Sequence, residues 1–222
     1  MPRRRGPTDQ GLRTRQTILR RAAELASVEG LEGLSIGALA DDLGFSKSGL
    51  FAHFGSKEEL QLATIDAARE VYVQEVIAPA LAAGKGLTRL CALCELFLSY
   101  VARQVFPGGC FFASTMAEFD CKPGPIKDKI AEIQAAWMET LRRAGASAVD
   151  AGELGPHTDP EQLAFELEAA LLAANWYFHL FDDRSYMARA ADAIRLRLSA
   201  DATKRGRATL ATRSTDTTAV TT

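Results

Sequence analysis

Apolar residues recur through most of this chain at the three- and four-residue spacing that lets a helix bury one face. The first such stripe comprises Ile18, Leu19, Ala22, Leu25, Ala26 and Val28, and Gly30 follows it. No segment alternates strictly between apolar and polar residues, as a half-buried strand would. The pattern therefore predicts an all-α fold.

Turn residues divide this helical pattern into separate elements. Helices are predicted at residues 36–43, 47–54, 57 to about 79, 87–106, 126–144, 160–181 and 185–198, with a short apolar segment at 110–118. Asp159 is suited to cap the helix that Pro160 opens. Residues 145–159 are expected to form a loop. Beyond residue 201 the threonine-rich sequence has few large apolar residues, and we expect disorder there.

Three helix starts and two helix ends fall within residues 35–60. Ser35, Ser46 and Ser56 each stand where a serine can accept from the free N–H groups of a first turn. Gly44 and Gly55 stand at the intervening turns, where glycine can adopt a left-handed conformation. These signals indicate three helices joined by two tight turns.

The residues around the first turn have the spacing of a helix-turn-helix unit. Ala40 precedes Gly44 by four positions, and Leu50 follows it by six. One buried cluster is predicted for Leu39, Leu43, Phe45 and Leu50. The second helix of such a unit lies in the major groove of DNA, with its first residues near the base edges.

Cationic, small and aromatic residues are predicted on the outward side of this second helix. Lys57 stands at a helix start that favours a phosphate, and Gly49 would let the backbone approach DNA. The predicted DNA-contacting residues are Arg13, Arg15, Ser35, Ser46, Lys47, Ser48, Gly49, Leu50, Phe51, His53 and Lys57. The alternative is a helical hairpin whose lysines are only solvated.

The segment LSIGALADDLGFSKSGLFAHFGSKEEL, residues 34–60, resembles the DNA-binding signature of TetR-type transcriptional regulators, and the resemblance covers about residues 13–62. Phe51 departs from the tyrosine that is frequent there, which removes a hydroxyl that could reach a phosphate. The resemblance implies an all-helical homodimer with an N-terminal three-helix DNA-binding domain and a larger C-terminal domain. We expect a basic flexible arm at 1–12, the DNA-binding domain at 13–60, the effector-binding and dimerisation domain at 61–200, and a disordered tail at 201–222.

The resemblance also implies an effector cavity in the C-terminal domain, mainly apolar with a few polar groups. The candidate lining residues are Leu93, Phe97, Cys110, Phe112, Met116 and Trp137. Ordinary core packing is the alternative for each of them. The last two long helices, about residues 160–198, are the expected dimer contact, because alanines such as Ala169 and Ala173 let helices approach closely. A core helix of a monomer is the alternative there.

Charge is distributed unevenly along the 222 residues. Net charge is −2, yet seven arginines and a single acid, Asp9, stand among the first 21 residues. A basic arm on a mildly acidic protein suggests a polyanionic partner, whereas a solvated tail is the alternative. No apolar stretch is long enough to span a bilayer, and no signal segment is visible, so we expect a cytoplasmic protein with four reduced cysteines.

The sequence thus predicts a dimeric repressor that a small, largely apolar effector releases from a palindromic DNA operator. No catalytic residue, metal site or cofactor is expected, because no nucleophile–base pair and no metal-ligand spacing is present. One alternative is a redox or electrophile sensor that switches through Cys110, since the family includes members that sense electrophiles through cysteine. Another is a helical ligand-binding protein that no longer regulates.

Overall fold

The computed structural model describes residues 9–214, and nearly all of these lie in helices. The elements are α1 (Asp9–Glu29), α2 (Ile36–Leu43), α3 (Lys47–Phe54), α4 (Lys57–Tyr72), a π-helical turn (Val73–Ile77), α5 (Ala78–Ala83), α6 (Gly86–Ala102), α7 (Phe111–Phe119), α8 (Pro125–Asp150), α9 (Pro160–Phe181), α10 (Ser185–Asp201) and α11 (Lys204–Ser214). Within this range the only extended pairing is an isolated bridge between Leu154 and Ala202. The predicted all-α class is confirmed.

The chain forms two compact units that are not contiguous in sequence. One unit comprises the described residues up to Val71 together with Phe106–Ala131. The other comprises Tyr72–Val105 and the described residues from Glu132 onward. The first unit therefore contains α7 as well as α1 to α3 and nearly all of α4, whereas the resemblance implied a boundary at residue 60. No helix in the described range is long and apolar enough to cross a membrane.

Several predicted ends of elements differ from the structure. Residues 9–12, predicted as part of a flexible arm, already belong to α1, and residues 1–8 lie outside the described range. Helix α8 extends to Asp150, into the first part of the predicted loop, because the buried Ala144 and Ala148 continue its apolar stripe. Helix α6 ends at Ala102, and Gln104 then adopts a positive φ of 51°.

The predicted disordered tail is also wrong for the part that can be described. Residues 204–214 form α11, and residues 215–222 lie outside the described range. This helix is held by polar groups rather than by large apolar side chains. The buried Glu153 accepts a hydrogen bond from the Thr209 hydroxyl, and its backbone carbonyl accepts from the Thr203 N–H. Hydropathy alone gave no sign of these contacts.

Helical structure continues past Pro79, where the sequence predicted an end. Proline has no N–H for the helical ladder, so a regular α-helix would lose a hydrogen bond there. The preceding turn widens to π geometry, in which the Ala78 N–H donates to the Val73 carbonyl. The wider turn accommodates Pro79 at the start of α5.

Two residues assigned to the core of the first unit are exposed instead. Val28 is 64% exposed, because it lies about 200° around α1 from the buried Ala26. Phe45 is 43% exposed, since it follows the left-handed Gly44 and precedes the first turn of α3. Leu39 and Leu50 are buried as predicted, and Leu43 is half-buried.

Candidate functional site

Local hydrogen bonds define the start and end of α2 and α3. The Ser35 hydroxyl accepts from the Ala38 N–H at 3.1 Å, and the Ser46 hydroxyl accepts from the Gly49 N–H at 3.1 Å. Gly44 ends α2 in the left-handed region, with φ 69° and ψ 25°. The first N–H groups of a helix have no acceptor within the helix, and a capping serine hydroxyl supplies one. The positions of α2 and α3 along the chain are therefore fixed by local sequence.

Helix α4 begins with half of the predicted capping box. The Ser56 hydroxyl accepts from the Glu59 N–H at 3.1 Å. The Ser56 N–H donates to the Phe54 carbonyl at 2.7 Å, which takes the place of the expected return bond to Glu59. The tight turn at Gly55, whose φ is 71°, brings these two backbone groups together.

The inward side of α3 anchors it to the first unit. Leu50 is 1% exposed and Phe54 is also buried. Leu50 was predicted as a DNA-contacting residue, but its side chain packs inside the protein and cannot present a surface to DNA. Its contribution is the burial of apolar area that holds α3 in place, since a fully buried leucine stabilises a fold by about 1.5–3 kcal/mol.

The outward side of α3 collects most of the predicted DNA-contacting residues on one exposed surface. We call it the α3 surface, and it consists of Ser46, Lys47, Ser48, Gly49, Phe51 and His53. Among the described residues, the Lys47 ammonium has one ion-pair partner, the exposed Asp41 carboxylate at 3.8 Å. An exposed pair of this kind contributes little to stability, so Lys47 can exchange this partner for a phosphate.

Three further residues predicted to contact DNA, Arg13, Arg15 and Lys57, differ in how firmly other parts of the protein hold their side chains. Arg13 is exposed on α1. The Arg15 guanidinium lies 5.1 Å from the centre of the Phe54 ring, so it also packs α1 against α3. The Lys57 ammonium donates to the Glu32 carbonyl, which ties the start of α4 to the α1–α2 loop. An ammonium has three donors, and Lys57 therefore keeps others for a phosphate.

Charged side chains also hold α1 against α2. The Arg21 guanidinium donates to both carboxylate oxygens of Asp42, at 2.7 and 2.9 Å, and to Glu24 at 3.2 Å. The hydrogen bonds from Arg21 lower the pKa of the Asp42 carboxyl below its usual value. A two-point contact of this kind fixes orientation as well as distance. It therefore links α2 to α1 through a defined geometry.

The loop between α1 and α2 is held by groups that the sequence did not predict. The Glu118 carboxylate, on α7, accepts from the Leu31 and Glu32 N–H groups, both at 2.8 Å. The Gln61 side chain donates to the Leu31 carbonyl at 2.8 Å. Gly108 packs so closely on α1 that a Cβ there would stand 1.8 Å from the Ser27 carbonyl oxygen. The α3 surface thus rests on a scaffold that includes α7.

The predicted effector residues are divided between the two units. Leu93, Phe97 and Trp137 lie in the second unit, all buried, and the Phe97 and Trp137 rings stack with centres 6.4 Å apart. The other predicted residues, Cys110, Phe112 and Met116, lie in the first unit at or on α7. Cys110 and Phe112 are buried and Met116 is half-buried. Their role as effector contacts stays a prediction.

The second unit contains a buried acid that sequence reasoning missed. Glu168 on α9 is 7% exposed, and its carboxylate accepts from the Trp137 indole N–H at 2.6 Å and from the Gln134 amide at 2.9 Å. Burial raises the pKa of this carboxyl above its ordinary value, although both hydrogen bonds act in the opposite direction. The sequence did carry a sign of this buried acid, because Glu168 stands inside the largely apolar run LAFELEAALLAAN.

The four cysteines are free, and three are buried. Burial raises the pKa of the Cys91 thiol to about 12 and also raises that of Cys94. Cys121 is exposed, and a hydrogen bond with Asp120 raises its pKa. Cys110 stands directly before α7, as predicted, and is buried. The described residues include no group of three or more histidine, cysteine or acidic side chains placed to bind a metal ion.

Large apolar side chains are exposed along α9 and α10. These side chains are Phe165, Trp176, Tyr177, Leu180 and Phe181 on α9 and Leu196 on α10. Leu180 and Leu196 are 70% and 69% exposed. Water-exposed apolar patches of this kind commonly mark contact surfaces. This apolar surface lies on the two helices for which the sequence predicted a dimer contact.

Comparison with known families identifies both parts of the chain. A family model described as bacterial regulatory proteins, tetR family, matches residues 18–64. A second, described as tetracyclin repressor-like, C-terminal domain, matches residues 86–194. The first match includes the whole of the α3 surface. A search among curated proteins returned no significant match.

Solved structures with the same fold cover most of this chain. A TetR transcriptional regulator from Chloroflexus aurantiacus J-10-FL is 28% identical, with a TM-score of 0.81 over 88% of this chain and 98% of that one. A TetR-family regulator from Cytophaga hutchinsonii is 21% identical, with a TM-score of 0.77 over 90% and 100%. AibR, in complex with isovaleryl coenzyme A and operator DNA, is 22% identical, with a TM-score of 0.65 over 81% and 95%.

Proposed function

Because the chain belongs to the TetR family of bacterial transcriptional regulators, we propose that it is a dimeric repressor that a small-molecule effector releases from a palindromic operator. The observation that carries this proposal is the α3 surface. Its exposed serines, lysine and glycine stand at the start of a helix that is capped at Ser46 and anchored by the buried Leu50. A rigid helix with a polar, cationic start suits the major groove of DNA.

The proposed DNA contacts fall into two kinds. Ser46, Ser48 and the Gly49 backbone lie where they can approach base edges or the adjacent phosphates. Lys47, Lys57 and Arg13 supply positive charge for the phosphates, so affinity should fall as salt concentration rises. Phe51 and His53 can pack their rings against the sugar-phosphate backbone. Residues 1–8, with three further arginines, lie outside the described range, and we assign them no contact.

The proposed repressor is a dimer through the exposed apolar surface of α9 and α10. A palindromic operator requires two recognition helices about 34 Å apart, or a multiple of that distance. One copy of the chain carries one α3 surface, so a second copy supplies the other. We place this dimer in the cytoplasm, where bacterial DNA is accessible. The expected interface residues are the six exposed apolar residues named above.

Release by an effector would be a coupling between two binding sites. A ligand that binds better to one spacing of the two α3 surfaces shifts the population toward that spacing. The AibR structure supports the presence of two sites, since a protein of the same fold was solved with both isovaleryl coenzyme A and operator DNA. The predicted effector residues around Trp137 remain candidates for the ligand contacts of this chain.

The alternative switch through Cys110 has weaker structural support. A thiol just before a helix can be activated by the positive end of the helix. Cys110 is nevertheless buried, so an electrophile would need the surrounding side chains to open first. If an electrophile still releases the Cys110→Ser variant from DNA, the thiol switch is excluded.

The α3 surface is tested by two lysine substitutions and a matched control. A duplex ligand is first selected from a pool of random sequences, and binding is then titrated by fluorescence anisotropy at several salt concentrations. Lys47→Ala and Lys57→Ala should each weaken binding by at least about tenfold. Each should also lower the magnitude of the slope of log affinity against log salt by about 1.8, because a dimer loses one phosphate contact from each copy. Lys85→Ala, at an exposed lysine of the other unit, should change neither.

Dimerisation should be unaffected by all three substitutions, since none of these residues lies on α9 or α10. Light scattering after gel filtration measures this directly. Titrations that neither Lys47→Ala nor Lys57→Ala changes would contradict the proposed surface.

A further inference from the structure

Two cysteines of the second unit line the same pocket. Cys91 and Cys94 lie three residues apart on α6, so they share one face of that helix. The volume of the pocket is about 310 Å³, at the lower end of the range for small-molecule sites. We call it the dithiol pocket, and its apolar walls are Leu98 on α6, Ile194 and Leu198 on α10, and Leu210 on α11.

The dithiol pocket lies apart from the surfaces assigned above. Ile194 and Leu198 line it from α10, whereas the exposed Leu196 lies about 160° around that helix from each of them. The proposed dimer through Leu196 therefore contacts the opposite side of α10. Among the described residues that line the pocket there is none of the six predicted effector residues.

Both thiols are almost withdrawn from water, although both line the pocket. Cys91 is 7% exposed and Cys94 is 2% exposed. Burial raises the pKa of both thiols, to about 12 for Cys91. A peroxide or a single-site alkylating agent reacts with the thiolate, so thiols that stay protonated react slowly with such reagents. The chemistry that suits this pair uses both thiols together.

The spacing of the two cysteines favours a bridging atom over a direct disulfide. Side chains three positions apart on a helix have Cβ atoms about 5–6 Å apart, whereas a disulfide requires about 3.5–4.5 Å. Oxidation of the pair would therefore distort α6. A bridge with one further atom between the two sulfurs is longer and spans the gap without that distortion.

The number of ligands in the pocket narrows the identity of the bridging atom. A structural zinc ion takes four protein ligands, and the described residues include no group of three or more suitable side chains. Trivalent arsenic that already carries one carbon group completes its bonds with two sulfurs. The buried side chains of Leu98, Ile194 and Leu198 can then contact an apolar group on the arsenic.

Helix α11 contributes a further wall and balances the charge there. The Arg213 guanidinium donates to the carboxylate of Glu95, the residue that follows Cys94. Both side chains line the pocket, and Leu210 lies on the same helix as Arg213. Because the carboxylate and the guanidinium neutralise each other, the pocket suits an uncharged ligand.

We propose that Cys91 and Cys94 form a binding site for uncharged organic compounds of trivalent arsenic that carry one apolar group. An arsenoxide R–As=O and the two thiols give R–As(SR′)₂ and water. Two arsenic–sulfur bonds form, the arsenic–oxygen bond breaks, and the oxygen leaves with both thiol protons. Arsenic stays trivalent, so the step needs no oxidant or reductant. This site goes beyond the proposed function and does not depend on it.

Phenylarsine oxide is the probe for this site. Full-length protein without DNA is reduced with a phosphine, titrated with the probe, and weighed by native mass spectrometry. We expect one adduct per chain, with a mass gain equal to the probe less one water, and reversal by excess ethanedithiol. Peptide mapping of the wild-type adduct should place the arsenic on the peptide that contains both Cys91 and Cys94.

Single-cysteine variants test whether both thiols are used. Cys91→Ala and Cys94→Ala each remove one of the two arsenic–sulfur bonds, so binding should weaken at least about a hundredfold, because the second bond forms within one molecule. Alanine keeps these buried sites apolar, and circular dichroism checks that the fold is retained. The control Cys121→Ala, at the exposed cysteine, should leave the affinity unchanged.

Three results would overturn the proposal. They are no adduct on the wild-type protein, undiminished binding by folded Cys91→Ala or Cys94→Ala, and an adduct that Cys121→Ala abolishes. The first of these would leave the two cysteines as ordinary packing residues. Operator binding is measured separately, so a protein that selects a duplex but takes no arsenical refutes this inference alone. An adduct without any selected duplex refutes the proposed function alone.

Discussion

At the scale of single residues, two carboxylates make structural contacts that could not be predicted from their positions in the sequence. Glu118 accepts two backbone N–H groups of the α1–α2 loop, and Glu168 lies buried between Trp137 and Gln134. Each contact joins residues more than thirty positions apart. Hydrophobic patterns report which face of a helix is buried, but they do not identify the polar partner that a buried acid will meet.

Glu118 should be a main support of the DNA-binding unit. Glu118→Ala removes the acceptors of the Leu31 and Glu32 N–H groups, and a hydrogen bond to a charged group is worth about 1.5–3 kcal/mol. We expect the free energy of unfolding to fall by about 2 kcal/mol in urea titrations. Glu70→Ala, at an exposed acid on α4, should change it by less than about 0.5 kcal/mol. If the two variants are equally stable, Glu118 does not support the loop.

At the scale of elements, local signals were sufficient for α2 and α3 but not for α11. Ser35, Gly44 and Ser46 act through their own neighbours in sequence, so caps and turns could be predicted from the chain alone. Phe45 was placed in the core because the pattern ignores how the Gly44 turn redirects the chain. Helix α11 has little apolar surface and depends on Glu153, about fifty residues earlier. Such a tertiary contact has no local signature.

A single methyl group added at Gly206 should disturb the packing of α11 against the rest of the second unit. A Cβ at Gly206 would stand 2.0 Å from the Glu153 carbonyl oxygen, so Gly206→Ala must displace the helix. We expect a loss of about 1–3 kcal/mol in stability and faster proteolytic removal of the C-terminal residues. Arg207→Ala, at an exposed position of the same helix, serves as the control. Equal proteolysis of both variants would show that the packing tolerates the added methyl.

At the scale of the whole molecule, sequence resemblance predicted the family and the helical class correctly. It could not divide the chain into its spatial units, because α7 belongs with the N-terminal helices despite its later place in the chain. The separation of Cys110, Phe112 and Met116 from Leu93, Phe97 and Trp137 follows from the same division. The exposed apolar surface of α9 and α10 is a property of the folded unit, and it gives the predicted dimer contact specific residues.

Charged substitutions on that surface should separate the proposed dimer. Leu180→Glu combined with Leu196→Glu places carboxylates where apolar side chains would be buried in a dimer, at a cost of several kcal/mol. Light scattering should report a monomer at concentrations where the wild-type protein is a dimer. Leu81→Glu, at an exposed leucine on α5, should leave the mass unchanged. A dimer that persists in the double variant would contradict the assigned contact.

In the proposed dimer, two α3 surfaces, one from each copy, read a two-fold symmetric operator. Hydroxyl-radical footprinting on the selected duplex shows directly where the protein lies on the DNA. We expect two protected patches related by two-fold symmetry, with centres about 34 Å or a whole multiple of that distance apart, and loss of both in Lys47→Ala at the same protein concentration. A single asymmetric patch, or protection that Lys47→Ala leaves unchanged, would contradict it.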